Sequence, residues 1–220
     1  MTVAEPIPPA LPFLDRHTAG VALARALHPR PSALVLGIAR GGVVVAAAVA
    51  SSLGLPLDVV VIRKVGHPMQ PELAIGAVAS HGEAVVTEHA TGFQNAVVHS
   101  LFSRASDQAR ALEERLRGQT PPRSVAGKPV IIVDDGIATS ATMLCAIKAV
   151  RAQQASFVTC AVPVAPADCA TTLRPHCDEL VVLVAARDLP FAVGRFYFMF
   201  GEVSDARVRD ELARARQRIA

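Results

Sequence analysis

Short runs of Val, Leu and Ile alternate along this chain with longer stretches whose apolar residues recur every three or four positions. That alternation predicts a parallel sheet covered by helices on both faces. Strands buried on two sides read as continuous apolar runs, and parallel neighbours need a helical crossover between them. Ala33–Ile38 reads as the first strand and Gly42–Leu53 as an Ala-rich helix. Leu57–Ile62 reads as the second strand, and Leu73–Ala79 and Ala84–Thr87 as strands around a turn at His81-Gly82. Asn95–Leu116 is expected to be helical, since Val98, Leu101, Phe102, Ala105, Ala109, Leu112 and Leu116 follow one another at helical spacing. After a Pro- and Gly-containing loop at Gly118–Lys128 come a strand (Pro129–Val133), a helix (Ala141–Gln153) and another strand (Ser156–Val162). A short helix (Ala167–Arg174) and a final strand (Leu180–Val184) complete the pattern.

Composition narrows the classes of function. Half of the residues (51%) are hydrophobic and 19% charged, enough apolar material for a buried core and too much for a disordered chain. A net charge of +3, with scattered basic residues, is too small for a protein held on nucleic acid by phosphate neutralisation. Met1–Leu14 carries Glu5 and Pro6, Pro8, Pro9 and Pro12, without the basic and apolar regions of a signal peptide. The uncharged run Gly41–Leu57 is broken by Ser51-Ser52 and by Gly54-Leu55-Pro56, so no membrane span is expected. A cytoplasmic protein is the expectation, with Cys145, Cys160, Cys169 and Cys177 reduced, since they form no C-x-x-C pair.

In open parallel α/β sheets, ligands bind beyond the carboxyl ends of the strands, so the loops there carry the chemistry. The segment from Val130 to Thr142, VIIVDDGIATSAT, ends a buried strand in two adjacent carboxylates, Asp134 and Asp135. A small, hydroxyl-rich turn then opens a helix. Small residues let backbone N–H groups approach an anion, and the helix amino terminus and the hydroxyls of Thr139, Ser140 and Thr142 favour phosphate. Carboxylates repel phosphate but suit sugar hydroxyls or a divalent metal, so phosphate and diol together point to a ribose 5-phosphate. It is not a Walker A loop. Adjacent acids also end strands in phosphoacceptor domains, but no further acceptor Asp with a Lys is evident here.

This segment resembles the 5-phosphoribosyl-1-pyrophosphate (PRPP) motif of the type I phosphoribosyltransferases. The resemblance implies that Asp134 and Asp135 meet the ribose hydroxyls and Mg²⁺, while Gly136, Ala138, Thr139, Ser140, Ala141 and Thr142 wrap the 5-phosphate. Ser140 stands where the family commonly has Gly. Ala138 stands where 6-oxopurine enzymes have an Asp, which disfavours hypoxanthine or guanine as acceptor. The turn Gly37-Ile-Ala-Arg-Gly-Gly42 resembles the family's pyrophosphate loop, implying anion binding by Ala39, Arg40, Gly41 and Gly42 around a cis Ala39–Arg40 peptide.

Arg63 and Lys64, after the second strand, would stabilise a pyrophosphate leaving group, and the segment running on to Pro71 resembles the family's mobile lid. His67 is expected to be an exposed loop residue. Near the carboxyl end, Phe191, Phe196, Tyr197, Phe198 and Phe200 fall within ten positions, either an apolar edge or dimer patch or a stacking surface for a flat heterocycle. That stretch resembles the hood of the purine-type members, with Phe191 and Val193 against the base. Residues 1–220 are then expected to form one domain, with a core at 30–185 and a hood from 1–29 and 186–220. More narrowly, RKVGHPMQPELAIGAV and FGEVSD resemble a bacterial branch of the superfamily.

The resemblance implies transfer of the phosphoribosyl group of PRPP to a nitrogen of a nucleobase-like heterocycle, with Mg²⁺ and release of pyrophosphate, and a possible homodimer. The alternative is a PRPP- or nucleotide-sensing protein on the same fold.

Overall fold

A computed structural model describes residues 11–187 and 190–218. Five strands make a wholly parallel sheet: β1 (Leu34–Ile38), β2 (Leu57–Val60), β6 (Pro129–Val133), β7 (Phe157–Pro166) and β8 (Glu179–Ala186). Their order is β2-β1-β6-β7-β8, so the chain winds one way from β1 to β2 and the other way from β6 onward. Three further strands, β3 (Ile62–His67), β4 (Gln70–Ala79) and β5 (Ala84–Val86), form a separate antiparallel sheet. The helices are α1 (Arg16–Ala26), α2 (Gly41–Leu53), α3 (Asn95–Arg117), α4 (Ser140–Ala152), α5 (Cys169–Leu173) and α6 (Asp205–Gln217).

The two faces of the main sheet bury alternate residues, as the pleat requires. Leu34, Leu36, Val130, Ile132, Val158 and Cys160 pack against α4 and α5. Val35, Ile131, Val133 and Ala161 face α1, α2, α3 and α6. Helix α2 is apolar nearly all round, the signature of a helix buried on every side. Its run from Gly42 to Ala50 is buried because α1 and α6 cover the side turned away from the sheet.

Two departures from the sequence reading bear on the site. The second strand does not run to Ile62: it ends at Val60, and after Val61 the chain enters the antiparallel sheet. Arg63 and Lys64 therefore lie inside a hairpin strand rather than in a free loop, paired with Val78 and Ala77, and the expected lid segment is anchored by that ladder. His67 ends β3, where its Nδ1 accepts from the Met69 amide and its ring meets Phe93 edge-on. Helices α1 and α6 were not anticipated. Helix α1 starts at a capping box in which Asp15 and Thr18 bond each other's backbone amides, and α6 starts at Ser204, whose side chain accepts from the Arg207 amide. The strands β7 and β8 are also longer than expected, and α5 shorter. The four cysteines are free, and no described helix is long and apolar enough to cross a membrane.

One buried ionic network ties α3 to β2. Arg117 donates through Nη1 to Asp58 Oδ1 (2.6 Å), through Nη2 to the Val59 carbonyl (2.7 Å) and through Nε to Glu113. Burial would raise the Glu113 carboxyl, but hydrogen bonds from Ser80 and Arg117, with the charges of Arg117 and His81, leave it below its ordinary value. Arg117→Met is expected to lower stability by about 3–5 kcal/mol in urea unfolding, because it strands two buried carboxylates. The Glu113 contribution is complete above its unfolded value of 4.5 and is lost as pH falls through its lower folded value, so Glu113→Gln should flatten the acid limb of the stability curve.

Candidate active site

Neighbouring strands whose connections leave in opposite directions open a crevice at their carboxyl ends. Here that crevice lies between β1 and β6, and a cavity of about 460 Å³ occupies it. Its wall takes in Ile38–Gly41 after β1, Asp134–Thr139 with Thr142 after β6, and Ile62, Arg63 and Lys64 from the hairpin. Three segments that the sequence singled out separately thus meet in one place. A larger cavity of about 630 Å³ lies elsewhere, between the His81-Gly82 turn and the carboxyl end of α3. It adjoins no carboxyl end of a parallel strand, and its Arg117 is already paired with acids.

The two carboxylates are each half tied to the protein. Asp134 Oδ1 accepts from the Asp135 amide (2.9 Å) and Asp135 Oδ2 accepts from Arg16 Nε (2.7 Å). The Asp134 carboxyl also lies within hydrogen-bonding reach of the Asp135 side chain. Burial and then the adjacent Asp135 charge push the Asp134 carboxyl well above the usual range, against the opposing Asp135 amide and Lys64 charge. Tyr197 donates its hydroxyl to the Asp135 carbonyl; burial and the same carboxylate raise its pKa, so it remains a neutral donor.

Next to the carboxylates, the turn Ala138–Thr139 leads into α4. Among the described residues no backbone carbonyl outside the helix accepts the amides of Ala138, Thr139 or Ser140, and Thr139 makes no side-chain cap. The Thr142 hydroxyl is buried on this wall without a partner. Unsatisfied donors at a helix amino terminus, with an orphaned hydroxyl behind them, suit a phosphate group. Ala141, by contrast, has its side chain in the core, and Ser140 is absent from the cavity wall.

The loop after β1 carries a cis peptide at Ala39–Arg40. Gly41 and Gly42 follow it because there is no room for more. A Cβ on Gly41 would fall on the Asp135 carboxylate, and one on Gly42 would meet the backbone of Val133 and Asp134. Arg40 lines the cavity, yet its guanidinium turns away: Nε donates to Asp205 Oδ1 (2.7 Å) at the start of α6, and Nη1 lies 3.5 Å from Glu202. The expectation of an Arg40 charge on an anion is therefore corrected; its side chain anchors the loop. The two hairpin cations divide as well. Lys64 is near enough to Asp134 to lower its pKa, whereas the Arg63 guanidinium reaches Gln108 of α3 (3.4 Å).

The aromatic segment splits too. Val193 packs against Gly136, where an added Cβ would strike it. Phe191 lies one recess away, its ring 5.5 Å from Phe196, and is not part of the wall around the carboxylates. Instead Tyr197 and Phe200 approach the carboxylates together with Arg16, a residue the sequence reading passed over. Its signal was a cation placed directly after the Asp15 cap, where a helix dipole disfavours it.

The fold is thus a doubly wound α/β sheet whose switch point brings paired acids and a helix amino terminus into the wall of one cavity. The chain belongs to the phosphoribosyl transferase domain family, whose model matches residues 27–189. It is 39% identical over 213 residues to the Mycobacterium tuberculosis proteins MT0597 and Rv0571c, whose names assign them provisionally to the phosphoribosyl transferases. The match covers 94% of this chain and 48% of those proteins, so the chain spans about half the length of the curated relatives it matches. Among solved structures it is similar to TT1426 from Thermus thermophilus, with a TM-score of 0.78 and 41% identity over 92% of this chain and 98% of that one.

Gly41→Ala is expected to cost about 1–3 kcal/mol of stability in urea unfolding, because the added methyl can be housed only by pushing aside the Asp135 and Arg16 side chains. In a crystal of that variant the Asp135–Arg16 pair is expected to be displaced.

Proposed function

We propose that this chain is a Mg²⁺-dependent phosphoribosyltransferase that moves the 5-phosphoribosyl group of PRPP to a ring nitrogen of a nucleobase-like heterocycle and releases pyrophosphate. The observation that carries the reading is the pairing, in one crevice, of two adjacent carboxylates with a helix start that has unpartnered donors. A sugar diol and a 5-phosphate need these two environments side by side.

Asp134 and Asp135 would accept from the ribose hydroxyls, and the amides of Ala138–Ser140 with the Thr139 and Thr142 hydroxyls would hold the 5-phosphate. Ala39, Arg40 and Gly41 line the same cavity, and this loop would receive the pyrophosphate. Lys64 would meet the negative charge that develops on it as the bond to C1 breaks. Held this way, the ribose is oriented for attack from the opposite side, and most of the rate enhancement is positioning and charge stabilisation.

The donor set also fits a magnesium ion. No group of three His, Cys, Asp or Glu converges among the described residues, but two adjacent carboxylates do, and Mg²⁺ favours one or two carboxylates completed by water and substrate phosphate. Bound there with PRPP, the ion would neutralise the leaving pyrophosphate. The acceptor would lie under the segment from Phe191 to Tyr197, with Val193 nearest the sugar loop.

Isothermal titration is expected to show micromolar PRPP binding that disappears with EDTA, and no binding at millimolar PRPP would sink the reading. Thr142→Val should weaken PRPP by roughly tenfold to a hundredfold, the worth of one hydrogen bond to a charged group. Pyrophosphate release across a panel of nucleobases should fall by about 10²-fold or more in Asp134→Asn. Tight PRPP binding with no release for any acceptor would favour the sensing role instead.

A further inference from the structure

We infer that Arg16 is the positioning residue for the sugar-binding carboxylate Asp135, clamping the loop after β6 to the carboxyl-terminal aromatic segment; the inference rests on the function proposed above. Arg16 is the first residue of α1, and the Asp15–Thr18 capping box fixes its backbone. A cation in the first turn opposes the helix dipole, so its place there needs another reason. The contacts of its guanidinium supply one.

Three surfaces of that one group are used. Nε donates to Asp135 Oδ2 (2.7 Å), Nη1 donates to the Gly201 carbonyl (2.8 Å), and the planar face lies 3.9 Å from the ring centre of Phe200. Phe200 in turn stacks on Tyr197 at 4.9 Å, and the Tyr197 hydroxyl bonds the Asp135 main-chain carbonyl. Asp135 is thus gripped at its carboxylate by Arg16 and at its backbone by Tyr197, two residues that brace each other through Phe200. Both members of the Arg16–Asp135 pair are largely shielded, at 12% and 16% exposure, so water screens the pair little. Gly41 provides the space for it, since a Cβ there would crowd both the Asp135 carboxylate and Arg16 Nε.

The consequence is geometric. With Oδ2 engaged by Arg16, the Asp135 carboxylate is held in one orientation on the cavity wall. A lysine could keep the charge but not the fork or the stacked face. Asp135, which would read the sugar, therefore depends on Arg16 for its orientation, whereas Lys64 on the hairpin makes no bond to Arg16 among the described residues.

The test compares wild type, Arg16→Gln and Arg16→Lys by calorimetric titration with three probes: PRPP with Mg²⁺, ribose 5-phosphate, and inorganic pyrophosphate without metal. Thermal unfolding serves as the control for folding. Arg16→Gln is expected to weaken PRPP and ribose 5-phosphate by roughly 10–100-fold, the usual cost of losing a residue that orients a ligand-binding group. Pyrophosphate should bind within about twofold of wild type, and Arg16→Lys should recover part of the loss. Equal weakening of all three probes would mark Arg16 as a purely structural brace and overturn the inference, as would unchanged ribose 5-phosphate binding in Arg16→Gln. If Arg16→Gln does not fold, the same selective loss must appear in Arg16→Lys, and its absence there overturns the inference. Failure of the wild type to bind either sugar phosphate would instead overturn the proposed function and this inference with it.

Discussion

Two negative side chains on consecutive residues at the end of a buried strand repel each other, and much of this structure answers that repulsion. Asp134 and Asp135 sit where β6 leaves the sheet, with the low-dielectric core directly beneath them. Such a pair persists only if each member has compensation. Asp135 receives a guanidinium; Asp134 receives one amide, a distant ammonium and a raised proton affinity. The residual demand for positive charge or hydroxyl donors is what suits the crevice to the role proposed for it.

That demand explains why both ends of the described chain return to the same place. Helix α1 delivers Arg16 to the loop after β6, and α6 delivers Asp205 to the loop after β1 through Arg40. Asp205 also accepts from Arg115 of α3 (3.1 Å). Burial would raise its carboxyl, yet the bonds from Arg115 and Arg40 hold it below the ordinary value, so it is a charged anchor at neutral pH. Each of the two loops that face the cavity is therefore held from behind by an ion pair with a terminal helix. Main-chain groups are left free to face a ligand because side chains take up the anchoring.

The main sheet was legible because its strands are continuous apolar runs, and the Val130–Thr142 segment because its residue types change abruptly where the strand stops. What the sequence concealed has identifiable causes. The apolar run Val59–Ile62 passes unbroken from one sheet to another, so no change of pattern marks the break at Val61. Helix α1 buries Ala19, Gly20, Leu23 and Ala24, a face too weakly apolar to stand out, and α6 buries a narrow stripe of Val208, Leu212 and Ala215 in a strongly charged segment. Residue type located Arg40, but the direction of its side chain depends on α6, over 160 positions away. The aromatic cluster was visible as a group, but not how its rings divide, with Phe191 in a separate recess from the carboxylates. Which ring faces the carboxylates was decided by Tyr197's hydrogen bond and Phe200's stacking, both invisible in one dimension.

The break at Val61 has a structural corollary. Lys64 rides on a ladder whose strands pair only with one another, resting on α3 through Val65, Val78, Phe102 and Ala105 and on α4 through Ile62, Ala77 and Val85. The acids ride on the parallel sheet. Cation and acids thus stand on separate sheets, joined through Val61 and by the packing of the hairpin on α3 and α4. Repacking beneath the hairpin would retune their spacing like a vernier, leaving the paired acids in their original alignment.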